Sequence, residues 1–189
     1  DKYCSTGKKP FIISVAGNAR SGKSIFSSYL SLKFIDNNLK PLKIELDQWI
    51  LPENMRAGCR NVYDRFQLDK IVADISKLIN GETIYLSGYS NHPQRESLPV
   101  TYAVNDCDIL IIEGIVALSN VFLREIADFK IFMEIPAEIF YQRFVQYYRW
   151  RGKSEQEAKA LLEKRKTDEY QLIEKESKFA DLVINTFSS

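Results

Sequence analysis

Short apolar blocks alternate along this chain with longer stretches in which apolar residues recur at helical spacing. The blocks are rich in β-branched residues and predict strands over residues 11–16, 42–46, 83–86, 109–112, 130–134 and 181–185. Helical spacing predicts helices over residues 24–36, 66–79 and 137–148, and a capping box at Ser154 and Glu157 opens a further long helix. Apolar strands alternating with helices indicate an α/β fold, in which helices cover both faces of a mostly parallel sheet.

The first predicted helix carries its apolar residues among polar ones, which favours partial burial. Those residues are Ile25, Leu30, Leu32 and Phe34. The segment from Trp49 to Pro99 has little apolar periodicity outside one helix. We therefore expect it to form a lobe over the edge of the sheet, at about residues 48–100.

Composition supports one domain over residues 1–189. Of these residues 45% are hydrophobic and 27% are charged, enough for a substantial core. The 26 basic and 25 acidic residues leave a net charge of +1. Binding to nucleic acid or to a membrane through bulk charge is therefore not expected.

The chain shows no targeting or membrane-spanning pattern. No apolar run approaches about 18 residues, and the first nine residues lack the apolar core of a signal peptide. Cys4, Cys59 and Cys107 are scattered and predict reduced thiols in a cytoplasmic protein. With one histidine in the sequence, any metal is expected on oxygen ligands. Because the chain begins with Asp1 and not Met, we expect a trimmed chain or a domain of a longer protein.

The strongest motif lies between the first predicted strand and the first predicted helix. It matches GxxxxGK[ST], in which glycines let the backbone curl so that N–H groups point at phosphate oxygens. Lys23 is expected to reach the β- and γ-phosphates, and the Ser24 hydroxyl to ligate Mg²⁺. This motif predicts nucleotide binding without separating kinase, ATPase and switch. The predicted ATP-binding residues are Gly17, Asn18, Ala19, Arg20, Ser21, Gly22, Lys23 and Ser24.

Two carboxylates follow predicted strands. Glu113 ends a buried run, and ligands gather at the carboxyl ends of strands in open α/β sheets, so Glu113 is expected to join Ser24 at the Mg²⁺. Asp47 follows the strand over residues 42–46. If that strand neighbours the first one, Asp47 faces the γ-phosphate opposite the leaving ADP and can accept a hydroxyl proton.

Together these features resemble the uridine kinase and phosphoribulokinase family. The similarity rests on the loop at residues 17–24, on Asp47 with an aromatic residue two positions later, and on residues 111–114 and 177–184. It runs in order from about residue 11 to 185. The resemblance implies a P-loop kinase fold that uses ATP and Mg²⁺, with Asp47 as the general base.

The acceptor side matches that family less closely. The stretch whose Asp holds ribose hydroxyls in uridine kinases corresponds here to residues 59–66, and the motif that meets the base corresponds to residues 89–95. Because both depart from the family pattern, a related nucleoside, a sugar or a phosphosugar would suit the chain as well as uridine. The predicted substrate-binding residues are Asn61 or Asp64 for the ribose, and Tyr89, His92 and Arg95 for the ring, although Arg95 could instead meet a phosphate.

Positive charge concentrates in residues 143–166, where eight residues are basic and three are acidic. Phosphoryl transfer spreads negative charge over the γ-phosphate oxygens, which arginines on a closing lid can neutralise. We therefore expect an arginine-bearing helical lid here, with its tip at residues 149–152. Arg143 is the best positional match to the family, followed by Arg149 and Arg151, and these complete the predicted catalytic set with Lys23 and Asp47.

The aromatic residues of the first lid helix are predicted to pack in a core and not to form a stacking platform. They are Phe140, Tyr141, Phe144, Tyr147 and Tyr148. By analogy with the family, the base of the nucleotide is expected near Asn185 and Thr186.

The function expected from the sequence is ATP-dependent transfer of the γ-phosphate to a hydroxyl of a small molecule, a uridine- or cytidine-like nucleoside or a sugar. Two alternatives stay open. The chain could be a nucleotide-binding regulatory module of a larger protein, or a kinase of another acceptor such as pantothenate or adenylylsulfate. The partner expected of a kinase is its small-molecule acceptor. Whether the chain forms a homo-oligomer is left open by the sequence.

Overall fold

A parallel five-stranded sheet in the order β2-β5-β1-β6-β7 forms the centre of the computed structural model, which describes residues 10–89 and 97–185. A separate antiparallel pair, β3 and β4, lies outside this sheet. The predicted α/β fold with a mostly parallel sheet is confirmed. The strands are β1 (Phe11–Gly17), β2 (Pro41–Glu45), β3 (Ile84–Leu86), β4 (Val100–Tyr102), β5 (Ile109–Glu113), β6 (Phe129–Glu134) and β7 (Leu182–Asn185).

From residue 137 up to β7 the chain is mainly helical. The predicted capping box is present, because the Ser154 hydroxyl accepts from the Glu157 N–H and the Glu157 carboxylate accepts from the Ser154 N–H. The long helix expected after it is interrupted by a π-helical turn over Lys166–Tyr170. The α-helices are α1 (Lys23–Asp36), α2 (Leu68–Ile79), α3 (Val121–Ile126), α4 (Ala137–Trp150), α5 (Glu155–Arg165) and α6 (Gln171–Glu174).

Strand β1 carries apolar residues on both faces, as a central parallel strand requires. Ile12 and Ala16 pack in a core cluster with residues of α2, and Ile13 and Val15 pack in a second cluster with residues of α1. The prediction that helices cover both faces of the sheet is therefore confirmed.

Helix α1 is partly buried, as predicted, with Leu30 and Phe34 among its packed residues. Phe26, Leu30 and Phe34 are spaced four residues apart and pack against the sheet. Ile25 and Leu32 lie on the other side and are 79% and 60% exposed. Two of the four apolar residues named from the sequence are therefore packed and two are exposed.

The position of β2 corrects a second expectation. Strand β2 does not neighbour β1, because β5 lies between them and Leu110 pairs with both Leu42 and Ile12. Order along the chain does not decide order in a parallel sheet, since a crossover can pass over a strand position. β2 also ends at Glu45, so Asp47 lies in a 3₁₀ turn over Leu46–Trp49 and not at the strand end.

The segment expected to form a lobe shares the main core of the molecule. Trp49 is fully buried, its ring stacks on that of Tyr102 at 6.4 Å, and its indole N–H donates to Asp74 at 2.8 Å. Helix α2 begins at Leu68, later than predicted, because Phe66 forms a β-bridge with Ile50. Strand β4 and helix α3 were not predicted. Among the described helices, none is long and apolar enough to cross a membrane.

Candidate active site

The loop between β1 and α1 curls back on itself. Gly17 has a φ of 141°, and a Cβ there would collide with the backbone carbonyl of Met133 on β6. Gly22 has a φ of 94° and directly precedes α1. Lys23 is buried and its ammonium donates to the Asn18 carbonyl at 2.8 Å. The sequence motif therefore has the strand, tight loop and helix start that phosphate binding requires.

Ser24 at the start of α1 meets Glu113 at the end of β5. The Ser24 hydroxyl donates to Glu113 Oε2 at 3.2 Å. Both groups are oxygen donors of the kind that Mg²⁺ prefers, and Mg²⁺ commonly keeps several waters while bridging one or two carboxylates and substrate phosphates. In residues 10–89 and 97–185 no cluster of three or more His, Cys, Asp or Glu could hold a metal. The pair thus fits Mg²⁺ that arrives with nucleotide phosphates.

Asp47, in the 3₁₀ turn that follows β2, lies near both Lys23 and Glu113. Burial raises the pKa of Asp47, while the nearby Lys23 ammonium opposes that rise. Burial likewise raises the pKa of Glu113 and lowers the pKa of Lys23. Lys23 and Asp47 both act on the pKa of Glu113, and both carboxylates act on that of Lys23. Lys23, Asp47 and Glu113 are therefore brought together around one point, although β5 separates β2 from β1.

These three residues line a cleft of about 240 Å³ between the loop, the acceptor segment and the lid. Ile50, Val62 and Phe66 give the cleft an apolar side. Tyr89 also lines it, and the Tyr89 N–H donates to the side chain of Gln48 at 2.9 Å. The cleft combines a charged end for phosphoryl transfer with an apolar wall that can pack against a ring.

Two of the other predicted acceptor residues, Asn61 and Asp64, lie outside this cleft. The Asn61 side-chain oxygen Oδ1 accepts from the Tyr63 N–H at 2.9 Å, and the Asp64 carboxylate accepts from the Arg60 N–H at 2.9 Å. These bonds stabilise the local turn, and neither Asn61 nor Asp64 lines the cleft. His92 and Arg95 lie outside the described residues.

The three predicted lid arginines separate into different environments. Arg151 lines the cleft, and 21% of its side chain is exposed. Arg149 is 60% exposed and lies 3.9 Å from the Glu155 carboxylate at the helix junction. Arg143 donates to the Arg20 carbonyl at 2.8 Å and borders the opposite side of the phosphate loop.

The aromatic residues of α4 divide between a core and the site. Phe140 and Phe144 are buried with Tyr170 in a third apolar cluster, as predicted. Tyr147 instead supports the phosphate loop, because the Arg20 guanidinium lies over its ring at 3.3 Å from the centroid. This contact fastens the lid helix to the loop.

Sequence reasoning missed a buried ionic group at the floor of the cleft. Arg65 is 5% exposed and donates to both Asp168 and Glu169 at 2.6 Å, while Arg165 lies 3.5 Å from Asp168. The partners of Arg65 are more than 100 positions away in the chain, so no local sequence pattern predicts this pairing. Arg56, which also lines the cleft near Asp47, was missed as well.

A second, more open pocket of about 390 Å³ lies on the other side of the loop. Ile25, Tyr29 and Ile184 give it an apolar lining, and Arg143 borders it. The exposed positions of Ile25 and Tyr29 on α1 belong to this pocket. The base site expected near Asn185 is thus beside a pocket, and Thr186 lies outside the described residues.

The phosphate-binding loop lies beside a carboxylate-lined cleft, beneath a helical pair with an arginine at its tip. This arrangement suits a protein that transfers a phosphoryl group between two small molecules. With this sheet order, the fold is that of the P-loop kinases.

Comparison with known proteins narrows this class. The model of the phosphoribulokinase/uridine kinase family matches residues 12–189, so the chain belongs to that family and is a small-molecule kinase. It is 30% identical over 186 residues to a uridine kinase of Macrococcus caseolyticus, covering 93% of this chain and 88% of that protein. A uridine kinase of Halalkalibacterium halodurans is 29% identical over 190 residues, covering 94% and 87%. A candidate fructose transport system kinase from Silicibacter sp. TM1040 shares the fold with a TM-score of 0.78 and 19% identity, covering 95% and 92%.

Proposed function

We propose that this protein transfers the γ-phosphate of ATP to a hydroxyl of a pyrimidine nucleoside such as uridine or cytidine. The observation that carries the proposal is the convergence of Lys23, Asp47 and Glu113 on one cleft with an apolar wall. Uridine kinases that match this chain over more than nine-tenths of its length support a nucleoside as the acceptor.

The donor nucleotide would lie across the phosphate loop. Loop N–H groups and Lys23 hold the β- and γ-phosphates, and the pocket formed by Ile25, Tyr29 and Ile184 accommodates the adenine ring. Ser24 and Glu113 would hold Mg²⁺ against the phosphates, where the ion neutralises charge on the phosphate oxygens. ATP of the cytoplasm is the natural donor, so we expect the protein to act there.

Asp47 acts on the acceptor. Its carboxylate takes the proton of the attacking hydroxyl as the oxygen approaches the γ-phosphorus, and ADP leaves from the opposite side. Burial raises the pKa of Asp47, which makes the ionised carboxylate a better proton acceptor. Arg151 at the lid tip lies in the same cleft and neutralises charge on the transferring group.

The acceptor ring would pack against the apolar side of the cleft. Ile50, Val62 and Phe66 present carbon surface there, and Tyr89 adds an aromatic side chain. The direct test is ADP release from Mg²⁺-ATP with uridine, cytidine, ribose, ribulose 5-phosphate and pantothenate as acceptors. Stimulation by uridine or cytidine, lost in Asp47→Asn, is the expected result. Stimulation by a different acceptor alone, or by none of them, would contradict the proposal.

A further inference from the structure

Glu169 reaches the acceptor cleft from an unusual piece of backbone. It lies in the π-helical turn over Lys166–Tyr170, and such turns often occur where a side chain must be aimed at a site. Glu169 is 7% exposed, yet it lines the cleft together with Asp47 and Lys23. It is also close enough to both groups to act on their pKa values.

The charge of Glu169 is held in a fixed geometry. Arg65 donates to Glu169 Oε2 at 2.6 Å, and Arg165 lies 3.8 Å from the same oxygen. Asp168 is the second carboxylate bound by these arginines, so two cations balance two anions. A buried ionised carboxylate needs such partners, because leaving it unpaired is costly.

The other oxygen of Glu169 is not used in this pairing. Within residues 10–89 and 97–185, every side-chain hydrogen bond and ion pair of Glu169 is made by Oε2, and Oε1 has no hydrogen-bond partner. Asp168 also leaves one oxygen, Oδ1, without a hydrogen-bond partner, but that oxygen is buried and Asp168 does not line the cleft. A buried carboxylate with one oxygen held and the other unpartnered is suited to accept hydrogen bonds from a ligand.

We propose that Glu169, held by Arg65, binds the vicinal hydroxyl pair of the acceptor sugar. The proposal rests on the proposed function and names the group that recognises its acceptor. Asp47 is occupied as the proton acceptor, and the oxygens of Asn61 and Asp64 are engaged in a local turn outside the cleft. Among the described residues that line the cleft, Glu169 is thus the carboxylate assigned neither to Mg²⁺ nor to the transferred proton, and it can distinguish a ribose from a sugar without the diol.

The test compares uridine with 2′-deoxyuridine, 3′-deoxyuridine and 2′,3′-dideoxyuridine, which all keep the 5′-hydroxyl. For the wild-type chain we expect KM to rise at least about tenfold when the diol is lost, as for a hydrogen bond to a charged group. In Glu169→Gln, KM for uridine should rise about tenfold or more while KM for ATP changes less than about twofold. KM for dideoxyuridine should match that of the wild type, since that acceptor cannot use Glu169.

Asp168→Asn is the matched control, because it removes the neighbouring carboxylate from the same arginine without reaching the cleft. It should keep the full discrimination between uridine and its deoxy forms. Equal discrimination in wild type and Glu169→Gln would overturn the proposal, and so would a wild-type KM that is flat across the four acceptors. The second result is measured on the wild-type protein, so it does not depend on whether a variant folds. Absence of turnover with every nucleoside would instead overturn the proposed function and this inference together.

Discussion

The Ser24 hydroxyl donates to Glu113 Oε2 across 3.2 Å, joining the first turn of α1 to the last residue of β5. The two residues are 89 positions apart in the chain. Their contact lies where two strand–helix units meet at the carboxyl edge of the sheet, which is where ligands of open α/β sheets bind.

Glu113→Gln should raise the Mg²⁺ concentration needed for half-maximal turnover by about 10- to 100-fold. The amide keeps the shape and can still accept from Ser24, but it lacks the charge that attracts the ion. A Mg²⁺ titration at fixed ATP measures the effect. Glu125→Gln, an exposed carboxylate of α3, is the control. An unchanged Mg²⁺ requirement would exclude Glu113 from metal binding.

Asp47→Asn should lower kcat by about 10²- to 10⁴-fold, the range typical of general acid–base catalysis. Binding of ATP should stay near that of the wild type, since Asp47 lies across the cleft from the loop amides. Single-turnover kinetics and nucleotide titration separate the two effects. Asp69→Asn in the exposed first turn of α2 should leave both unchanged, and retained turnover in Asp47→Asn would exclude a proton-acceptor role.

The two arginines that flank Trp150 should differ strongly in their effects. Arg151 lines the cleft and Arg149 points into solvent beside Glu155. Arg151→Ala should lower kcat by about 10²- to 10³-fold, because it removes a cation from the transferring group. Arg149→Ala should change kcat less than about threefold, since exposed ion pairs contribute little. Similar losses in both variants would mean that the lid closes differently from the arrangement described.

Stability should depend on pH through Glu176. Glu176 is 4% exposed and accepts from the Tyr63 hydroxyl at 2.8 Å; burial raises its pKa from 4.5 to about 7. Between these pH values the folded state keeps a proton that the unfolded state releases, so stability falls as pH rises from about 4.5 to about 7. The free energy of unfolding falls by an amount on the order of 3 kcal/mol over this pH range.

Glu176→Gln should therefore be more stable than wild type at pH 8, and the difference should vanish near pH 4.5. Chemical unfolding at several pH values measures it. Glu125→Gln should follow the wild-type curve. Parallel curves for wild type and Glu176→Gln would show that Glu176 ionises as easily in the folded protein as in the unfolded one.

The parts of this fold that the sequence predicts are the local ones. The phosphate loop is recognisable because Gly17, Gly22 and Lys23 act within one strand–loop–helix unit. The capping box at Ser154 is recognisable for the same reason. Strand order is different, because insertion of β5 between β2 and β1 depends on pairing between segments about 70 residues apart.

The acceptor side shows where prediction from the sequence stops. Asn61 and Asp64 occupy the expected stretch, but their oxygens bond to neighbouring backbone N–H groups. Asx turns of this kind compete with ligands for short polar side chains. Glu169 reaches the cleft only through Arg65 and a π-helical turn, and neither leaves a periodic signal in the sequence.

The most direct test of this account follows the phosphoryl group itself. The protein is incubated with Mg²⁺, uridine and ATP labelled at the γ-phosphate, and the labelled products are separated. The account predicts that label appears in uridine 5′-monophosphate and that Asp47→Asn forms almost none. Label released only as inorganic phosphate, or left on ATP, would contradict it.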